Sequence, residues 1–322
     1  VDKIKIGIVG TGYMGGTHAQ IFARDERCEV AALFDIRTER MQRVSRLTGA
    51  RTMENAEQVF ESSDAVVITT PNTRHVELAI AAANAGKHVL CEKPMATKLE
   101  DAKRVLEAAN NSGAVFQVGH NRRYAPVYQK LKELIGEDRP HSAHIKMNRG
   151  ELQNPEWTSD VSITGGFLYE TTIHLFDMMR FQFGEIAEMI AFGSRQTYNE
   201  IDNFSVLLKF KSGLHATFCS AADASWNFPF ERVEVFCEHR TILTQEMENI
   251  SDNRGTAPNS EHFSYHLAQK EERWGYVQED AAFVDAILNG TQPPVTAFDG
   301  YKSVELVEGC YQAVRTGEKV IF

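Results

Sequence analysis

The stretch that most constrains this chain is an apolar run, Lys3-Ile4-Lys5-Ile6-Gly7-Ile8-Val9, that passes directly into Gly10-Thr11-Gly12-Tyr13-Met14-Gly15. An apolar strand entering three glycines at this spacing, with a helical pattern after them (Thr17, His18, Ile21, Phe22), fits a strand, a tight turn and a closely packed helix. Gly10 can take the sharp turn, Gly12 has no Cβ to hold an approaching group away, and Gly15 lets the helix lie close on the sheet. The exposed N–H groups at the helix start then face a phosphate, so Gly10 to Gly15 reads as a dinucleotide clamp. A second strand, Val30 to Phe34, ends at Asp35, about 20 residues beyond the last glycine, where an acidic residue grips a ribose diol. The plainer reading of Asp35 is a cap on the following helix. As a ribose ligand it argues for NAD by repelling a 2′-phosphate, while Arg37 is the kind of neighbour that admits NADP. NAD is preferred and NADP stays open.

Strand and helix then alternate. Thr38 to Thr48 and Asn55 to Ser62 read as helices, and Asp64 to Thr70 as a buried strand that stops at Pro71-Asn72. An alanine-rich helix, His75 to Ala85, leads to the strand His88 to Cys91 and to Glu92-Lys93-Pro94. Leu99 to Asn111 and Val115 to Gly119 add one more helix and strand. This is the grammar of a doubly wound parallel-sheet α/β domain, of Rossmann type, over residues 1–120. Ligands of such sheets lie beyond the carboxyl ends of the strands, where Gly10, Asp35, Thr70, Pro71, Asn72, Lys93 and His120 to Arg123 fall.

From residue 121 the pattern changes. Ser142 to Arg149, Ile186 to Thr197, Asn203 to Phe210, Leu214 to Ala221, Arg232 to Glu238 and Arg240 to Gln245 read as strands joined by short turns. They predict an α+β domain on a mainly antiparallel sheet over residues 121–322. Glu248 to Gln269 reads as a long polar loop, and Tyr276 to Leu288 and Phe298 to Val314 as amphipathic helices. Helices must cover one sheet face, and a second copy of the chain is expected on the other.

A formal net charge of -10 and the lack of a Lys/Arg cluster speak against a nucleic-acid or anionic-membrane partner. The five cysteines form no CxxC pair, which suggests neither a disulfide framework nor a thiolate zinc site. No stretch reaches the roughly eighteen uninterrupted apolar residues of a membrane span, so a soluble cytoplasmic protein is expected.

The most informative segment of the second half runs from Gly165 to Asp177. If it is helical, Glu170 and His174 stand four apart on one face, with Asp177 three further on. An imidazole beside a carboxylate is a good general base near neutral pH, suited to taking a hydroxyl proton while hydride leaves the carbon. The same spacing also suits a helical ion pair. A zinc site is the other rival, but no His or Cys cluster completes a ligand set, and no metal is expected. Lys93 sits where the sheet presents ligands, and Pro94 restricts it to extended geometry. Its ammonium at a reacting oxygen would lower the cost of alkoxide charge; a solvated surface lysine is the alternative.

Taken in order, the glycine clamp, Thr70-Pro71-Asn72 with His75, Glu92-Lys93-Pro94, Gly119 to Tyr124, Gly165 to Asp177 and Pro294 to Gly300 resemble the Gfo/Idh/MocA family. That family is named for glucose-fructose oxidoreductase, inositol dehydrogenase and a rhizopine-catabolism protein. The resemblance implies an NAD(P)-dependent oxidoreductase acting on a secondary alcohol of a sugar, cyclitol or sugar derivative. It implies that Lys93 and His174 are the catalytic pair, with Glu170 where the family usually has Asp. It extends the cofactor site from Gly10, Thr11, Gly12, Tyr13, Met14, Gly15, Asp35 and Arg37 to Thr70, Pro71, Asn72, His75, Glu92, Lys93 and Asn121. It sets Arg149, Trp157 and Tyr276 beside Lys93, Glu170 and His174 at the substrate, and implies a homo-oligomer, dimer or tetramer. The alternatives are a non-catalytic NAD(P)-binding sensor and an enzyme that recycles tightly bound NAD within an elimination, hydrolysis or epimerisation.

Overall fold

The computed structural model describes residues 3–136, 138–150, 156–225, 230–256 and 259–322. The chain divides into two compact units, Val1–His120 with Tyr276–Val304, and Asn121–Gly275 with Glu305–Phe322.

In the first unit, β1 (Ile4–Val9), β2 (Cys28–Phe34), β3 (Arg51–Thr52), β4 (Ala65–Ile68), β5 (His88–Glu92) and β6 (Phe116–Gly119) form one parallel sheet in the order β3-β2-β1-β4-β5-β6. Helices α1 (Tyr13–Arg24), α2 (Thr38–Thr48), α3 (Ala56–Glu61), α4 (His75–Asn84) and α5 (Leu99–Ser112) lie between the strands in the chain. The order reverses at β1, which makes this a Rossmann-type doubly wound sheet with its ligand crevice at the β1/β4 switch. Every residue of β4 is buried, because a central parallel strand is covered on both faces.

In the second unit, α6 (Pro126–Ile135) precedes β7 (Ser142–Asn148), α7 (Val161–Thr164) and α8 (Ile173–Phe183). Then come β8 (Ile186–Ser194), β9 (Asn203–Phe210), β10 (His215–Ala221), β11 (Glu231–Cys237), β12 (Arg240–Gln245), β13 (Asn249–Arg254), β14 (Ser260–Ser264) and α9 (Lys270–Arg273). After α10 (Tyr276–Asn289) and α11 (Ala297–Thr316), β15 (Val320–Ile321) completes a nine-stranded sheet, β14-β13-β12-β11-β7-β10-β9-β8-β15. Its described pairs are antiparallel except β7 with β10. Phe204, Val206, Leu208 and Phe210 of β9 point inward with period two. Helix α8 is buried nearly all round, as a helix apolar on all sides must be. Phe176 meets Phe218 edge-on at 5.4 Å and Phe183 meets Phe210 at 5.6 Å, so α8 is the cover of that inward face.

Two expectations are corrected. Residues 249–254 and 260–264, expected within a loop, are the strands β13 and β14. Their alternation is hard to see because one of the inward positions of β13 is a charge: Ile250 and Asp252 are both buried, and Asp252 accepts hydrogen bonds from Arg240 (2.7 and 2.8 Å) and Arg254 (2.8 Å). The second correction concerns residues 276–304, which group with the first unit. Phe283 and Val284 of α10 are fully buried in one apolar cluster with Ile6, Phe22, Leu33 and Leu90. Each such side chain is worth about 1.5–3 kcal/mol of burial, and the helix packs where its apolar face is satisfied rather than with its neighbours in sequence.

Candidate active site

The glycine turn has the shape that its sequence implies. Gly10 is left-handed (φ +94°), and a Cβ there would meet the Thr69 and Thr70 backbone at 2.7–2.8 Å. A Cβ on Gly15 would collide with the Gly10 carbonyl, so α1 can start this close to β1 only with glycine at that position. Gly12 is different: a Cβ there would meet only Arg40, at 3.7 Å, so the space beside it is open to a ligand. Gly12 also caps α1 without any side-chain hydrogen bond, which leaves the helix-start N–H groups for an anion. Tyr13 is exposed and Met14 half-buried on this first turn.

Asp35 is held rigidly. One oxygen accepts from the Thr11 N–H (2.6 Å) and hydroxyl (3.1 Å), the other from the Arg37 N–H at 2.8 Å. The bonds between Asp35 and Thr11 tie the end of β2 to the glycine turn. Arg37 itself is exposed, and Asn72 is buried in the turn after Pro71. The hydroxyl of Thr70, at the carboxyl end of β4, is buried with no hydrogen-bond partner among the described residues. An open Gly12, an uncapped helix start, a fixed carboxylate and an orphan hydroxyl at the switch point together fit a dinucleotide.

The carboxyl end of β5 is built on a buried charge network. His18 of α1 lies between two carboxylates: its Nδ1 is 2.8 Å from Asp280 of α10, and its Nε2 is 3.3 Å from Glu92. Burial alone would lower the His18 pKa, but the charges and hydrogen bonds of Asp280 and then Glu92 outweigh it and hold the imidazole protonated well above its usual range. Glu92 is pulled the other way, its burial outweighed by His18 and then Lys93, so it ionises below the usual carboxylate range. Its second oxygen accepts the Lys93 N–H at 3.0 Å. Glu92, expected at the cofactor, therefore spends both oxygens inside the protein and fixes the backbone of Lys93. Lys93 is half-buried, and its bond to Pro94 is cis. His75 acts similarly, with Nδ1 2.8 Å from the Pro94 carbonyl and Nε2 2.7 Å from the Thr70 carbonyl. It joins the turn after β4 to the turn after β5, and burial keeps its pKa below the ordinary histidine value against the pull of both carbonyls.

His18, Glu279 and Asp280 bring ligand-type atoms within 4.8 Å of one another. Within this cluster His18 pairs with Asp280 at 2.8 Å and with Glu92 at 3.3 Å. In the sequence His18 is one position in a helical pattern. Its signal is a charged-capable side chain on the face that also carries Gly15, Ala19 and Phe22, which calls for a buried partner. Tyr276, expected at the substrate, stands edge-on to His18 at 6.2 Å in the first unit.

In the second unit the stretch after α7 is helical with a departure. Residues Leu168–Thr172 form a π turn, closed by the Ile173 N–H to the Leu168 carbonyl, before α8 begins. Such turns are wider than α-helical ones and are frequent at functional sites. Glu170 is half-buried on this turn and His174 is buried at the start of α8. Asp177 is committed elsewhere, with both oxygens bound to Arg123 at 2.6 and 2.7 Å.

The residues after His120 are likewise structural. Arg122 donates to Glu231 at 2.9 Å, and Asn121, expected at the cofactor, donates to the Trp274 carbonyl at 2.8 Å. Arg149 follows β7, its guanidinium 5.8 Å from the Phe230 ring centroid. Burial, then the Arg122 charge, lower its pKa, while Glu170, Glu231 and Tyr198 pull it up. Arg149 and Glu170 thus feel one another's charge within this unit. Trp157 is half-buried on the short helical turn Glu156–Ser159.

Known proteins resemble this chain along most of its length. Myo-inositol 2-dehydrogenase of Thermotoga maritima is 28% identical over 311 residues, 92% of each chain. 2,7-anhydro-N-acetylneuraminate hydratase of Escherichia coli is 28% identical over 283 residues, 84% of this chain and 74% of that one. The crystal structure of a probable dehydrogenase from Thermotoga maritima matches with a TM-score of 0.84 at 26% identity, covering 99% of this chain and 98% of that one. A family model described as an oxidoreductase family with an NAD-binding Rossmann fold matches residues 4–120, and the model of its C-terminal alpha/beta domain matches residues 132–322. With the clamp and both halves of the chain accounted for, the protein belongs to the Gfo/Idh/MocA family of NAD-binding oxidoreductases.

Proposed function

We propose that this oxidoreductase interconverts a secondary alcohol and a ketone on a sugar or cyclitol, with Lys93, His174 and Glu170 as its working residues. The observation that carries the reading is the placement of Lys93. It is half-buried at the carboxyl end of β5, on the sheet edge that carries the glycine turn, and its backbone is held by an ionised buried carboxylate. When bound, NAD supplies the redox chemistry. The Lys93 ammonium stabilises negative charge that develops on the substrate oxygen, the His174 imidazole takes or returns the hydroxyl proton, and Glu170 orients the imidazole. The sugar or cyclitol class is supported by the relative named myo-inositol 2-dehydrogenase. Absorbance assays over cyclitols, aldoses, sugar lactones and nucleotide sugars, with NAD and NADP in parallel, test it; dinucleotide binding with no turnover across that panel overturns it.

The relative named as a hydratase favours a second reading, in which the same residues serve a reaction that returns its hydride to the substrate. Product formation with no net change in NADH, and cofactor that co-purifies, identify that case.

The fixed carboxylate of Asp35 supports a preference for NAD. Asp35→Ser is expected to weaken NAD binding roughly tenfold, the worth of a charged hydrogen bond, and to narrow the gap to NADP in fluorescence titrations. An unchanged ratio of the two affinities would remove Asp35 from this role.

The reading extends to assembly, with a second copy of the chain on the open face of the nine-stranded sheet. Phe192 is 73% exposed and Leu207 54%, and Leu207 pairs with Ile190, itself exposed, so the three share one outward face. Exposed apolar clusters of this kind mark interfaces. Light scattering is expected to give a dimer or tetramer whose mass falls when Phe192 and Leu207 are both changed to Asp; a monomeric wild-type protein overturns this. The five unpaired cysteines support a reducing compartment, the cytoplasm.

A further inference from the structure

We propose that Glu200 is a positioning residue for the reaction, holding the first turn of the helix that carries Glu170 and His174; this rests on the site reading given above. The connection from β8 to β9 is a tight loop organised by Asp202, which is fully buried and accepts the N–H groups of Gln196 (2.9 Å), Thr197 (2.7 Å) and Tyr198 (2.6 Å). That loop presents Glu200 to the start of the π turn. One carboxylate oxygen accepts the Phe167 N–H at 2.7 Å, and the other accepts the Tyr311 hydroxyl of α11 at 3.1 Å. Tyr311 in turn accepts the Leu168 N–H at 3.3 Å. Two amides that have no partner within the helix are thus satisfied by side chains from two other elements, and a carboxylate stands at the positive end of the helix dipole.

Neighbouring residues are arranged to admit this grip. Gly166 has φ +123°, and a Cβ there would lie 2.5 Å from Glu200 and 2.6 Å from the Tyr311 hydroxyl. The Tyr169 ring stacks on Tyr311 at 6.4 Å and donates its hydroxyl to Glu308 at 2.9 Å, while Phe167 packs on Tyr198 of the same loop. The next residue along the turn is Glu170, and His174 follows one turn later. Glu200 therefore sets where the π turn begins and, through it, where both side chains point.

The titratable groups that bear on Glu200 are Asp202 from its own loop and Tyr311 from α11, with the Arg315 guanidinium over the Tyr311 ring at 5.9 Å. Burial pushes the Glu200 carboxyl up to about 7, with the Phe167 and Tyr311 hydrogen bonds opposing and the Asp202 charge adding to the rise. A raised carboxyl favours the protonated fold. Its contribution to stability is complete below the ordinary value of 4.5 and is lost as pH rises through about 7.

The test compares Glu200→Ala and Glu200→Gln with wild type by turnover, NAD affinity, amide exchange at Phe167 and Leu168, and melting temperature at about pH 5 and about pH 8. Glu200→Ala is expected to lower kcat roughly ten- to hundredfold through misplacement of the helix, with NAD affinity unchanged and exchange at the two amides faster. Glu200→Gln keeps an oxygen for Phe167, so it is expected to recover most of kcat while the melting temperature depends less on pH than in wild type. Unchanged exchange in Glu200→Ala, or unchanged kcat with accelerated exchange, overturns the proposal. Should His174→Ala keep full turnover, the site reading fails instead, and the exchange measurement still decides whether Glu200 holds this turn.

Discussion

Lys93→Ala is expected to lower turnover by about 10²–10⁴-fold while leaving the affinity for NAD within a factor of a few. The residues proposed to meet the dinucleotide are held without the Lys93 side chain. Asp35 is fixed by Thr11 and Arg37, and the glycine turn by its own backbone packing. On the proposed mechanism, what the variant removes is the charge that offsets a developing alkoxide. Where water is excluded from a site, such a term is large because no water reorganises to replace it. Kinetics over the substrate panel, with NAD binding measured separately by fluorescence, give the answer. Full activity in Lys93→Ala removes the residue from the chemistry, and parallel loss of NAD binding shows a structural defect.

His18→Ala is the variant with the largest expected effect on stability, about 3–5 kcal/mol in urea unfolding. The imidazolium is fully buried between Asp280 and Glu92, also buried, and its removal leaves two carboxylates without a counter-charge. The pH dependence follows from the direction of each shift. The raised His18 contributes stability that is complete below its ordinary value of 6.5 and is lost as pH rises through its higher folded value. The lowered Glu92 contributes above 4.5 and loses that contribution as pH falls through its folded value. Asp280, raised first by burial, contributes stability that is complete below 3.8 and is lost as pH rises through its folded value, in the same direction as His18 and against Glu92. Wild type should therefore lose stability on the alkaline side more steeply than His18→Ala. Parallel curves for the two proteins would show that the imidazole is not cationic in the fold. Because Glu92 also holds the Lys93 N–H, the surviving folded fraction of His18→Ala should turn over more slowly as well.

Much of the first unit was readable in the chain. Continuous apolar runs such as Ala65–Ile68 mark strands buried on both faces, and glycine at positions 10 and 15 is a steric requirement that few other local structures share. Asp35 was readable for the same reason, since its distance from the turn is set by one helix and one strand. Glu92, His75 and Asn121, expected at the cofactor, could be placed along the chain but not oriented. Glu92 ends β5, Asn121 follows β6 and His75 opens α4, and their side chains bind His18, two carbonyls and the Trp274 carbonyl. Position along a strand says which end a residue occupies, and its partners say which way it faces.

Periodicity, glycine placement and the order of strands and helices were enough to specify a doubly wound nucleotide-binding sheet followed by a mainly antiparallel one, because each is a local consequence of which side chains must be buried. The direction of α10 into the first unit, the strands hidden in a polar stretch, the Glu200 grip on the π turn and the His18–Asp280 pair, 262 residues apart, came from packing in three dimensions. A buried charge records nothing about its partner in the residues around it. Only when the chain has closed those long loops does the partner arrive to offset the loss of water.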